Sequence, residues 1–171
     1  MIFTAKKIAY SVCFALLSGA GSHAWAADPT LTVKTISESG AQQVIATAEH
    51  EAEKLHAPCA IAVVDASGTL IAFLKMDGVR AGSPDLAIGK ARTSALLQRP
   101  SSETEDNVNK GRAALMTAGL MTLRGGEPLK AGEEVVGAVG IAGLNKDNDV
   151  AIAQAAAASF ASRSNPQPPA H

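Results

Sequence analysis

The sequence predicts an α+β domain in which helices cover an antiparallel sheet, and three observations lead there. Apolar, partly β-branched runs at Cys59 to Val64 and Glu133 to Ala142 are bounded by turn-forming residues, as strands are. Val44, Ile45, Ala48, Ala52 and Leu55 recur at helical spacing. The order that results is helix, two strands, helix, short helix, strand plus hairpin, helix, which suits one sheet with helices packed on it.

The chain of 171 residues opens with what reads as a cleaved secretory signal peptide, residues 1–26. Lys6 and Lys7 supply the positive end, Ile8 to Ala20 is an apolar run too short to span a bilayer, and Ala24-Trp25-Ala26 places small residues at the cleavage site. The expected location is therefore periplasmic or secreted. Cleavage would remove Tyr10, Trp25, Cys13 and His23, and would lower the basic count from 15 to 13 against 16 acids, a formal charge of −3. That balance gives no footprint for nucleic acid or an anionic membrane. No later segment is long and apolar enough to cross a membrane, so the mature form is expected to have no span. Cys59 would then be the one cysteine, inside an apolar run and read as a small buried hydrophobe.

The mature domain is expected over 31–161. A first helix is predicted from about Glu38 to His56, with Ser37 as N-cap and Pro58 beyond its end. Cys59 to Val64 and Thr69 to Met76 form a hairpin around the turn Asp65-Ala66-Ser67-Gly68, placed centrally because its strands are so apolar. A second helix, Asp85 to Gln98, is expected to bury Leu86, Ile88 or Gly89, Thr93, Leu96 and Leu97 and to stop before Pro100. Ser102 and Glu105 have capping-box spacing for a short helix. Residues 113–123 are ambiguous, with Leu120 to Leu123 readable as a strand. Glu127 to Lys130 and Glu133 to Ala142 form a hairpin around Ala131-Gly132. Gly137, Gly140 and Gly143 would let another backbone or a ligand approach closely. Asp147 or Asp149 would cap a last helix running through Phe160, and 162–171 reads as a Pro-rich disordered tail. A mature chain rich in alanine buries little area per residue, which makes subunit association plausible.

Several blocks in order carry a family resemblance. They are Ile61 to Phe73 with Met76-Asp77-Gly78, Ser83 to Asp85, Ile88-Gly89-Lys90-Ala91-Arg92-Thr93-Ser94-Ala95, Arg99 to Glu103, Arg124-Gly125-Gly126-Glu127-Pro128-Leu129 and Val135 to Gly143. Together they resemble the HbpS/GlcG-like proteins over nearly the whole mature domain. The resemblance implies a profilin-like fold with a five-stranded antiparallel sheet, and homo-oligomers that are often octamers. It also implies haem as the cofactor or ligand, since members include haem-binding and haem-degrading proteins and a domain similar to the C-terminal part of PduO. Other relatives, encoded with glycolate or diol metabolism, imply a small anionic metabolite as the alternative ligand.

Haem needs an apolar slot, an axial donor and usually cations for its propionates. His50 is the preferred axial candidate. His56 stands at the end of the first helix, and His171 lies in the tail. Met76, Met116 and Met121 are further donors, read mainly as core residues. Asp77, Arg80, Ser83, Lys90 and Thr93 form a polar cluster able to hold a carboxylate or a propionate, and Arg124, Gly125 and Gly126 could add donors. Glu49, His50 and Glu53 can share one helix face, read mainly as solvated. The sequence contains no nucleophile triad, paired-His zinc motif, dinucleotide fingerprint or P-loop, so it singles out no catalytic residue.

Overall fold

The computed structural model describes residues 29–164, and all its helices and strands belong to the compact unit that begins at Val33. The expected signal peptide, with Cys13 and His23, lies outside the described residues, as does His171. No helix among the described residues is long and apolar enough to cross a membrane.

α1 (Glu38–Lys54) begins where the sequence indicates, with the Ser37 hydroxyl accepting from the Gly40 N–H. β1 (Ala60–Asp65) and β2 (Leu70–Lys75) form the expected antiparallel hairpin. Its turn is fixed by one carboxylate: Asp65 Oδ1 accepts from Ser67 N at 2.8 Å, Ser67 Oγ at 2.7 Å and Thr69 N at 2.9 Å. Partial burial opposes the charge, but these bonds outweigh it and hold the Asp65 carboxyl below its usual pKa. α2 (Ser83–Leu97) and α3 (Ser101–Asn109) follow, then a 3-10 helix at Ala113–Ala118, β3 (Gly126–Ala131), β4 (Glu134–Ala142) and α4 (Lys146–Ser164).

The α+β class stands, but the sheet has four strands, in the order β2-β1-β4-β3, and not five. The segment read as a candidate strand, Leu120 to Leu123, is not a strand, and side chains take two of its carbonyls. Thr93 Oγ1 donates to Met121 O at 3.0 Å and Ser101 Oγ to Leu123 O at 2.8 Å. The hairpin is also less central than expected: β1 is interior, whereas β2 is an edge strand with Leu70 and Phe73 exposed. β3 forms the other edge and tolerates Pro128 there.

β1 and β4 alternate large and small residues in matched register. Ile61 faces Ile141 and Val63 faces Val139, and these side chains meet α1 and α4 in a core of Val44, Ile45, Leu129 and Ile152. Each such side chain contributes about 1.5–3 kcal/mol on burial. Ala60, Ala62, Ala138, Gly140 and Ala142 point the other way, where Ala87, Ala91 and Ala95 of α2 cover them.

That second face corrects the helix reading. α2 turns its small residues inward, leaving Leu96 52% exposed and Leu86, Ile88 and Leu97 only partly buried. The reason is distance between backbones. A Cβ built on Gly140 would overlap the Ala87 carbonyl oxygen and lie 2.6 Å from Ala91 N. The helix comes too close for leucines between the layers.

Two expected caps are absent. α3 has no side-chain cap bond, since Glu105 is engaged by Arg124 instead of pairing with Ser102. At α4 the Asn145 side chain accepts from Asp147 N at 2.8 Å, and Asp149 turns inward. α4 also continues past Phe160 to Ser164, whose hydroxyl donates to Lys130 O at 3.0 Å, so the first three residues assigned to the tail are helical.

Candidate functional site

A buried ion pair joins three elements, reaching from α2 on one face of the sheet to α4 on the other. Lys90 of α2, only 4% exposed, donates from Nζ to Ile141 O of β4 at 2.8 Å and to Asp149 Oδ2 of α4 at 2.8 Å. The other carboxylate oxygen, Asp149 Oδ1, accepts from Gly143 N at 2.7 Å. The pair tolerates burial because both ions have further hydrogen bonds. Gly125 (φ +105°) passes against it: a Cβ there would sit 3.0 Å from Asp149 Cβ and 3.2 Å from Lys90 Nζ.

Of the candidate ligand-binding residues, the structure brings Arg80, Lys90 and Arg124 to one cavity of about 180 Å3. It also places Lys146, Glu105 and Asp149 there, with Leu86, Leu123, Ala142 and Leu144 as apolar walls. Arg80 Nη2 donates to Gly143 O at 3.1 Å. Arg124 is clamped: its Nε donates to Glu105 at 2.6 Å, its Nη2 to Asp106 at 3.0 Å, and its backbone N–H to Glu105 at 2.8 Å. The bond to Glu105, aided by the charges of Glu105 and Asp106, holds the guanidinium pKa above its ordinary value.

The other candidates lie elsewhere. Thr93 spends its hydroxyl on Met121 O and lines a different cavity of about 390 Å3, together with Arg92, Leu96, Met116, Leu120 and Met121. Ser83 is buried and its hydroxyl has no hydrogen-bond partner among the described residues. Asp77 is exposed in the turn after β2 and does not line the cation-rich cavity. Gly126 spends its N–H on Ser101 Oγ at 2.9 Å, and Gly125 O accepts from Ile141 N at 2.8 Å. These two glycines serve packing.

His50 is exposed on α1, and no group of three metal-ligating side chains is gathered among the described residues, Glu49, His50 and Glu53 included. His56 stands in a cavity of about 440 Å3 with Ala52, Glu53, Ala57, Pro58 and Met76. Its backbone is left-handed (φ +50°) just past α1, where the bond from Ala57 N to Ala52 O closes the helix at 2.9 Å. Glycine is usual at such a position.

Cys59 is fully buried beside Met76, and burial, reinforced by the Asp149 charge, pushes its thiol up to about 12. It is inert packing, as the sequence indicates. Glu127 of β3 is also buried, and desolvation pushes its carboxyl above its usual pKa despite a hydrogen bond with Gln154. Because the folded state then holds this proton more tightly than the unfolded chain, stability falls as pH rises from the unfolded carboxylate pKa through the folded one. Glu127→Gln is expected to flatten that fall and raise stability at pH 7, read by urea denaturation between pH 4 and 8.

Sequence reasoning missed Asp149, Glu105 and Lys146 as members of the cavity. One usable signal was present. Ala87, Ala91, Ser94 and Ala95 mark a small-residue stripe on α2, and Lys90 falls on it, so a partner acid was needed in the interior.

Residues 36–158 match the family described as haem degrading protein HbpS-like. Protein GlcG of Escherichia coli (strain K12) is 39% identical over 107 residues, covering 62% of this chain and 80% of its own. A structure of a Streptomyces reticuli HbpS double mutant matches with a TM-score of 0.71 at 26% identity, covering 89% of this chain and 99% of that one. A structure of a PduOC:heme complex matches with a TM-score of 0.66 at 28% identity, covering 73% of this chain and 94% of that one.

Proposed function

We propose that this chain, which belongs to the HbpS-like family, is an exported haem-binding protein that sequesters, senses or degrades haem. The observation that carries this is the likeness, at 28% identity, to a relative whose structure is a haem complex. Export rests on the N-terminal pattern of Lys6-Lys7, apolar run and Ala24-Trp25-Ala26.

The residues present fit haem best beside His56. An imidazole lines an open cavity beside Ala57, Pro58 and Met76, a donor suited to haem iron, while the Met76 sulfur accepts from Cys59 N at 3.4 Å. A histidine held in a left-handed conformation at the cavity adds weight, since backbone outliers concentrate at functional positions. His56, exposed like His50 but lining this cavity, therefore stands ahead of it as axial candidate. Bound haem would supply a redox-active iron; the protein's part is to ligate it, cover its faces and restrict water.

Titrating hemin into the purified protein is expected to shift and sharpen the Soret band. His56→Ala should weaken binding at least tenfold and His50→Ala should leave it unchanged. A spectrum that stays that of free hemin sinks the proposal. If His50→Ala alone abolishes the shift, haem binding stands and the axial assignment falls.

Homo-oligomers, up to the octamer, belong to the same reading. Leu96, Met116 and Leu144 are 52%, 63% and 72% exposed, large apolar side chains that a subunit contact would cover. Binding of a small anionic metabolite, the alternative, rests on a different place, the cation-lined cavity beside Lys90.

A further inference from the structure

The cavity beside the Lys90–Asp149 pair has more donors than the protein uses. Of its lining residues, Arg80, Lys90, Arg124 and Lys146 are cations, and Glu105 and Asp149 are acids, an excess of two positive charges. Lys90 spends two of its three ammonium N–H donors, on Ile141 O and Asp149. A buried ammonium that lines a cavity with a donor unspent calls for an acceptor there. Arg80 gives one N–H to Gly143 O and keeps others. Arg124 is held in place through Nε and Nη2, and its Nη1 has no partner among the described residues. Lys146 is exposed and makes no ion pair among the described residues.

The clamps matter as much as the charges. Glu105 and Asp106 fix the Arg124 fork, so a ligand does not have to order it. Leu86, Leu123, Ala142 and Leu144 form apolar walls between the cations. They suit a short carbon chain better than a bare inorganic anion. At about 180 Å3 the cavity is smaller than the roughly 300–1,000 Å3 that holds drug-sized ligands, which excludes a whole porphyrin.

We propose that this cavity is a carboxylate site that takes a small organic dianion, with Arg80 and Lys146 as its outer donors and Arg124 and Lys90 as its inner ones. The inference deepens the small-anion reading and does not depend on haem binding. One carboxylate chemistry has two sources here, a free dicarboxylic acid or the propionates of a haem seated outside the cavity.

The test uses the whole haem-free protein, with malonate and succinate as probes, malonamide as the uncharged analogue and sulfate as the inorganic one. Thermal shift and calorimetry are expected to show a dicarboxylate raising the Tm by several degrees while malonamide does nothing and sulfate binds at least tenfold more weakly. The double variant Arg80→Gln, Lys146→Ala leaves the buried pair intact and is expected to lose at least tenfold in dicarboxylate affinity while keeping its circular dichroism spectrum. No response to any dicarboxylate, equal response to sulfate, or unchanged binding by the variant each overturns the proposal. A competition arm separates the sources: malonate that displaces hemin marks a propionate site, and malonate that binds alongside hemin marks a free acid. Dicarboxylate binding in a protein that ignores hemin keeps this site and removes the haem reading.

Discussion

Gly140→Ala is expected to destabilise the protein by about 3–5 kcal/mol, at the upper end of what one methyl group does, because the overlap is with backbone. The added Cβ would collide with the Ala87 carbonyl and the Ala91 nitrogen, so α2 must lift from the sheet or β4 must bend. Neither movement is local. Lifting α2 opens the alanine layer and pulls Lys90 away from Ile141 O. Gly82→Ala is the control: it has open space around it and a negative φ, and should stay within about 0.5 kcal/mol of the parent. Urea denaturation of both variants checks the pair. A loss below about 1 kcal/mol for Gly140→Ala would mean that the helix does not sit this close.

Asp149→Ala is expected to cost about 3–5 kcal/mol, since it strands the Lys90 ammonium in the interior and frees the Gly143 N–H. For a domain of this size that is a fall in Tm on the order of 10 °C. The double variant Lys90→Met, Asp149→Leu is expected to recover most of the loss, because the charges leave together and apolar volume replaces them. Calorimetry on Lys90→Met alone, Asp149→Leu alone and the double gives the coupling directly. If the single variants add to the double, the pair is not coupled and the site has been misdescribed.

These two sites also show how far the sequence could be read. β1 and β2 were legible because Asp65-Ala66-Ser67-Gly68 is a turn with its own chemistry, and α1 because Val44, Ile45, Ala48 and Ala52 repeat at helical spacing. α2 was located but turned the wrong way: Leu96 outweighs Ala91 on any hydrophobic reading, and only the approach of Gly140 reverses the choice. Of the candidate ligand residues, the structure brings Arg80, Lys90 and Arg124 to one cavity. Their acids were not legible, because Asp149 and Glu105 sit near helix starts, where acids ordinarily serve as caps. Partnership between residues 59 positions apart leaves no trace in local spacing.

The contrast between the two faces of the sheet reaches into temperature. The α1/α4 face is built of isoleucine, valine and leucine, and detaching it exposes much apolar surface. The α2 face is mostly alanine, with Val64 and Val79 as its larger buried side chains, so it has fewer rotamers to lose and less area to hydrate. Most of the heat-capacity change of unfolding therefore belongs to the α1/α4 face. Cooling weakens the adhesion of that face, while the α2 layer, held by backbone proximity and one ion pair, changes far less. One sheet thus carries a cold-sensitive side and a cold-tolerant one.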